Sequence, residues 1–151
     1  MNVFLKFFSI LLFLFICYNS YSSELTYGEA AYVIVHHSKL FNKSDLKNYD
    51  YDIETINTIN NKSAIFLKNL GIDFDPLYVS LKRVFKLNDA YKILGQIYLL
   101  HSLDINYYGG EINLPENYTN WNEFCVMHSL DAKKFHNTIY QSFKLIIKRR
   151  N

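Results

Sequence analysis

The feature that most constrains this chain lies near its C-terminus, between Trp121 and Arg150. On a helical wheel of roughly 100° per residue, Trp121, Phe124, Cys125, His128, Ala132, Phe135, Ile139, Phe143 and Ile146 share one sector of about 100°. Lys133, Lys134, Lys144 and Lys148 gather on the opposite side. This pattern predicts one long amphipathic helix, or two nearly coaxial ones. Its first third also carries Val126, Met127 and Leu130 away from the stripe. An element that is apolar all round is buried on both sides, so that third is expected to be the central strut of a bundle. The remainder is expected to lie over the core as a lid.

The N-terminus reads as a targeting segment. Met1 to Lys6 is a short, singly charged start, and Phe7 to Tyr18 is almost entirely apolar. Ser20 and Ser22 then place small side chains where a signal peptidase wants them for cleavage after Ser22. The apolar run is too short for a bilayer core of about 30 Å, which needs ~20 residues. Residues 1–22 are therefore expected to be a signal peptide, and residues 23–151 a single helical domain that is periplasmic or secreted. Lipid attachment at Cys17 is disfavoured because Ile16 is not small. Without the signal only Cys125 is left, so no disulfide can close within the domain. On its apolar stripe that thiol is expected to behave as a small buried hydrophobe.

Charge is unevenly spread. From Ser23 to Cys125 nine basic residues face thirteen acidic ones, a balance of −4; from Val126 onward six basic residues face Asp131 alone, a balance of +5. The basic C-terminal face is one that an anionic surface or partner would attract. Nucleic acid is not expected, because those lysines lack interleaved aromatics on their own face.

Upstream, four further helices follow from caps and periodicity. Thr26 and Glu29 form a capping box for a helix over about Tyr27–Phe41, with Tyr27, Ala30, Ala31, Ile34, Ser38 and Phe41 inward, His37 at the border and His36 outward. Asp50, Asp52 and Glu54 alternate like the start of a calcium loop, but Thr55 and Asn61 stand where glycine and the bidentate glutamate are required. Asp50 and Asp52 are read instead as caps for a helix over about Ile53–Leu70. Gly71 then stands where a left-handed residue is wanted, with Ile72 to close the contact. Asp75-Pro76 opens a third helix with Leu77, Tyr78, Leu81, Val84 and Phe85 inward. Asn88 or Asp89 caps a fourth over about Ala90–Leu103, with Ile93, Leu94, Ile97, Leu100 and His101 inward. The fold class is thus all-α, an irregular bundle of about five helices.

Asp104 to Thr119 has no clean period and contains Gly109-Gly110 and Pro115. A connection this long inside a helical domain is often functional. Its Tyr107, Tyr108 and Tyr118 form one candidate binding surface; Lys133, Lys134, Lys144 and Lys148 form another. Sequons begin at Asn42, Asn61 and Asn117 and matter only in a eukaryotic host.

His37, His101 and His128 are the one constellation with chemical potential. Three imidazoles aimed inward from three helices would suit zinc or copper. No local ligand spacing supports them, however, and no carboxylate shares their stripes as a second partner. The segment His-Ser-Leu-Asp occurs at His101–Asp104 and again at His128–Asp131, and His37-Ser38 echoes its first half; the flanking residues do not match, so no repeat is inferred. Nucleophile, phosphate-loop and dinucleotide motifs are missing, and no cofactor is implied. The sequence therefore leans away from an enzyme. It leans toward an exported helical protein that binds another macromolecule, most naturally a protein, in the manner of small immunity or inhibitor proteins. That comparison rests on size and export alone. The alternative is a binder of a small apolar ligand or metal that uses the inward histidines.

Overall fold

The computed structural model describes residues 24–41, 56–102 and 110–150. The expected signal peptide, the 42–55 connection with Asp50 and Asp52, the sequon at Asn42, and Tyr107 and Tyr108 lie outside these residues. Six helices follow in order: α1 (Tyr27–His37), α2 (Ile56–Asn69), α3 (Tyr78–Leu81), α4 (Leu87–Ser102), α5 (Trp121–Met127) and α6 (Ala132–Arg150). No strand occurs among the described residues; Thr26 and Val84 make a single antiparallel bridge. The described residues are all-α, with six helices among them where about five were expected of the chain.

The centre of the bundle is α1, which packs against α2, α3 and α6. Tyr27, Gly28, Ala30, Ala31, Val33, Ile34 and Val35 are all buried, so the helix is dry on nearly every side. Its small residues let α2 come close: a Cβ added at Gly28 would lie 3.1 Å from Asn60 Cβ. The capping box forms as expected, the Thr26 amide donating to Glu29 Oε2 at 2.8 Å and the Glu29 amide to Thr26 Oγ1 at 3.3 Å. The chain entering α1 is also clamped to the chain leaving α3. The Tyr27 amide donates to the Arg83 carbonyl at 2.9 Å and the Phe85 amide to the Leu25 carbonyl at 2.7 Å.

α2 ends as its sequence requires. Gly71 has φ 84°, the Gly71 amide donates to the Lys68 carbonyl at 2.9 Å, and the Ile72 amide reaches the Leu67 carbonyl at 3.0 Å. These are the two bonds of a Schellman cap, with Ile72 closing its apolar contact in the core.

The third helix departs from expectation. Asp75 and Pro76 are not its cap and first residue: Leu77 is the N-cap, with no side-chain cap bond, and Asp75 lies outside the helix, accepting from the Leu77 amide at 3.0 Å and from Ser80 Oγ at 2.7 Å. The helix lasts one turn, because the chain breaks at Lys82–Arg83 to pair with residues 25–27. One turn has room for a single inward residue, Leu81. Phe85 is buried beyond the break, whereas Leu77 and Tyr78, expected inward, face solvent.

α4 is enclosed on more than one side, against α5 and α6. Besides Ile93 and Ile97 it buries Gly95, Gln96 and Leu99. Gln96 is fully buried and fully used: its Oε1 accepts from the Asp73 amide and its Nε2 donates to the Ile112 carbonyl, both at 2.9 Å. The Ile112 amide in turn donates to the Gly71 carbonyl at 2.7 Å. The described part of the long connection is therefore sewn to the end of α2 rather than hanging free. His101, expected inward, is exposed at the last turn of α4.

The C-terminal stripe is buried as its spacing predicts: Phe124, Cys125, Ala132, Ile139 and Phe143 are in the core, with Phe135 and Ile146 packed against it. The long helix is nonetheless broken. Ser129 has φ 56°, its amide donates to the Val126 carbonyl at 3.1 Å, and the Leu130 amide donates to the Cys125 carbonyl at 2.8 Å. Asp131 Oδ1 then accepts from the Lys134 amide at 2.9 Å and starts α6. The central-strut expectation fails at this elbow: Val126 and Met127 are 67% and 68% exposed.

Buried side chains form two clusters. The larger draws on α1, α2, α4 and α6 and on residues 72–85. The smaller holds Leu99, Ile112 and Phe124, with Tyr98, Leu114, Tyr118, Trp121 and Leu130 against it.

Candidate functional site

The histidines are not brought together. Among the described residues no group of three His, Cys, Asp or Glu side chains is placed to hold a metal ion. His37 is exposed, its ring 5.4 Å from that of Tyr32. His101 is exposed beside Phe41, at 5.8 Å. His128 is half-buried in an aromatic box with Phe124 at 4.3 Å, Tyr98 at 4.9 Å and Tyr118 at 5.7 Å. The shared His-Ser segment has a local meaning instead. α1 ends at His37, α4 ends at Ser102 and His128 is the C-cap of α5. Each histidine stands at a helix C-terminus. His36, expected outward, is half-buried as well; burial, and then the neighbouring His37, hold its imidazole below the ordinary pKa.

Two residues that periodicity did not single out take structural roles. His136 on α6 stacks on Phe85 with centroids 5.8 Å apart, and its Nε2 lies 2.9 Å from the Phe85 carbonyl, pinning α6 to the residue beyond α3. Lys92 Nζ sits 2.7 Å from Asp73 and 2.6 Å from Glu111. Burial works against its charge, but these two carboxylates hold its pKa above the usual lysine value. This bridge lies beside a cleft of about 480 Å³ whose walls include Asp73, Asp75 and Glu111.

Tyr118, expected on an exposed loop surface, is half-buried: its ring meets Phe124 edge-on at 4.9 Å and its hydroxyl is 2.9 Å from His128 Nε2. Asn61, the second sequon, is half-buried and donates its amide to the Pro76 carbonyl. Cys125 is buried, its thiol 3.3 Å from the Tyr91 carbonyl, and burial pushes its pKa up to about 11. A thiol held protonated in this way is not a nucleophile near neutral pH.

Three surface features remain. The first is the α5–α6 elbow and the outer face of α6. Val126, Met127, Lys133, Lys134, Lys144, Leu145 and Lys148 are exposed there, and Lys144 Nζ lies 4.5 Å from the Tyr140 ring. The second is the one-turn helix α3, where Leu77, Tyr78 and Val79 are 66%, 56% and 79% exposed in succession. The third is a groove of about 320 Å³ between α1, α4 and α6, with Val33, Leu40, Leu94, Phe135 and Ile139 in its walls and His37 and Lys134 also lining it.

Among the described residues no helix is long and apolar enough to cross a membrane. No protein-family model matches the chain, and neither the curated proteins nor the solved structures contain a significant match to it.

Proposed function

We propose that this chain is an exported, non-catalytic protein that binds another protein through the α5–α6 elbow and the basic face of α6. The observation that carries the reading is the exposure of Val126 and Met127, 67% and 68%, next to a row of lysines. Large apolar side chains left in water beside polar neighbours mark contact surfaces. Methionine adapts its shape to a partner, and lysines around an apolar centre resemble the polar rim of an interface. The N-terminal apolar run supports export, and the size of the chain suits an immunity-like or inhibitor-like role. The test is affinity capture with the full chain, comparing wild type with Val126→Ser/Met127→Ser and Lys133→Glu/Lys134→Glu variants. A partner retained by wild type and lost from both variants, with circular dichroism unchanged, supports the reading. A partner held equally by all three overturns it.

The groove of about 320 Å³ favours a second reading, a site for a small apolar molecule. Its volume is at the low end for ligand pockets, and its walls are mainly apolar with a few polar groups. Thermal stabilisation by small apolar compounds, abolished by filling the groove with Leu94→Trp, would support it.

A further inference from the structure

The N-cap and first turn of α3 present Leu77, Tyr78 and Val79 to solvent one after another, at 66%, 56% and 79% exposure. They are not a frayed loop. Asp75 accepts from the Leu77 amide at 3.0 Å and from Ser80 Oγ at 2.7 Å, and Asn61 donates to the Pro76 carbonyl immediately before them. Leu81 is buried just behind, and the Tyr27–Arg83 and Leu25–Phe85 backbone bonds fix the exit. The tip is a preorganised apolar knob on a rigid base.

A cationic collar surrounds it. From Leu77 to Asn88 the chain carries Lys82, Arg83 and Lys86 and no acidic residue. All three are exposed, as is Lys68, whose charge reaches Asp75. Lys82 Nζ stays 4.2 Å from the Tyr78 ring centroid, and the Arg83 guanidinium lies 4.8 Å from that of Tyr27. The nearby carboxylates of Asp75 and Asp89 accept from backbone amides, Asp75 from Leu77 at 3.0 Å and Asp89 from Lys86 at 2.7 Å.

We propose that this knob docks on an anionic lipid surface, with Leu77, Tyr78 and Val79 entering the interface and Lys82, Arg83 and Lys86 meeting the headgroup charge. The shape selects this partner. Tyr78 and Val79 fan apart by roughly 100° as successive helical residues, and Leu77 precedes them as an extended N-cap, so the trio caps a convex tip. Docking as a helix laid in a protein groove needs apolar residues at three- and four-residue spacing. Here the positions three and four beyond Leu77 are Ser80, bonded to Asp75, and the buried Leu81. A lipid surface conforms to a convex tip without such a register. Aromatic and basic side chains side by side, as in Tyr78 and Lys82, suit the headgroup level, where amphipathic rings sit and lysines extend toward water. Anionic lipid attracts each nearby Lys or Arg within about a Debye length.

Vesicle co-sedimentation of the full chain tests this, using phosphatidylcholine alone and an equal mixture with phosphatidylglycerol. Binding by the N-terminal apolar segment is common to wild type and variants, so the comparison isolates the knob. Wild type is expected to bind the anionic vesicles on the order of tenfold better than neutral ones, and to lose that preference at high salt. Leu77→Ser/Val79→Ser should weaken the anionic binding on the order of tenfold, and Lys82→Glu/Arg83→Glu/Lys86→Glu should reduce the preference to what the lysines of α6 contribute, both with an unchanged circular dichroism spectrum. Tyr78→Trp gives a second measurement, since an inserted indole is quenched by brominated lipid and a water-exposed one is not. Equal binding of wild type and the serine variant, no preference for anionic vesicles, or an unquenched indole would each overturn the proposal.

Discussion

Gly95 lacks a side chain where Trp121 would collide with one: a Cβ there would lie 2.5 Å from Trp121 Cε3 and 2.8 Å from Cζ3. The indole cannot retreat easily, because it also packs edge-on against Phe124 at 5.6 Å. Gly95→Ala should gain about 1 kcal/mol of helix propensity and lose ~1–3 kcal/mol to overpacking. The expected net effect is a lower denaturation midpoint with a shifted tryptophan emission; a more stable variant would show that the indole does not rest on α4. Spacing alone placed Trp121 on a buried stripe, but nothing in the sequence said that its partner would be a glycine 26 positions earlier. His36 supports a second prediction at this scale. Its pKa is depressed in the folded chain by burial and by His37, and Tyr32 lies 4.9 Å away. The unfolded chain takes up the proton first, near the ordinary value of 6.5. The stability associated with neutral His36 is therefore complete above that pH and is lost as the pH falls through the depressed folded value. Chemical denaturation of wild type should show a loss of stability as the pH falls through and below the ordinary histidine value of 6.5, and His36→Gln should reduce it. An identical profile in the variant would sink the assignment.

At the level of whole helices, what could be read in advance was what is decided locally. The Thr26–Glu29 box and the Gly71 stop each depend on residues within one turn, and both formed as expected. Helix ends made by non-glycine residues were not legible. α1 stops short of the expected Phe41 with Lys39 at φ 58°, and the C-terminal helix breaks with Ser129 at φ 56°. Neither lysine nor serine signals a left-handed residue, and this is why the stripe alone left open one long helix or two nearly coaxial ones. The same blindness hid the knob: α3 is cut short by pairing with residues 25–27, a tertiary bond no local pattern contains. The Ser129 conformation costs roughly 1–2 kcal/mol for an ordinary L-residue. Ser129→Gly should recover part of it, less the extra freedom of the unfolded chain, and raise the melting temperature by about 2 °C. Ser129→Val should lower it. A destabilising Ser129→Gly substitution would mean that the elbow is not held by a left-handed residue.

Among the described residues the molecule has two interiors of unequal size joined through α4. The larger is built on α1, while the smaller rests on Leu99, Ile112 and Phe124 with partly buried aromatics around them. The share of the smaller one contributed by residues 110–119 depends on a few polar ties: Gln96 between Asp73 and Ile112, the Ile112–Gly71 bond, and Lys92 between Asp73 and Glu111. Regions with few buried apolar contacts open at a lower free energy than the global transition. α5 and residues 110–119 should therefore exchange their amide protons through a partial opening that leaves α1, α2 and α6 closed. In Gln96→Leu the Asp73 amide and the Ile112 carbonyl each lose a partner, a penalty of about 1–3 kcal/mol for each group left buried without one. Exchange at Ile112 and across Phe124–His128 should then accelerate by on the order of tenfold or more, with Ile34 and Leu67 unchanged. If protection falls equally in α1 and α5, the two interiors unfold together, and α4 carries one cooperative core rather than bridging two.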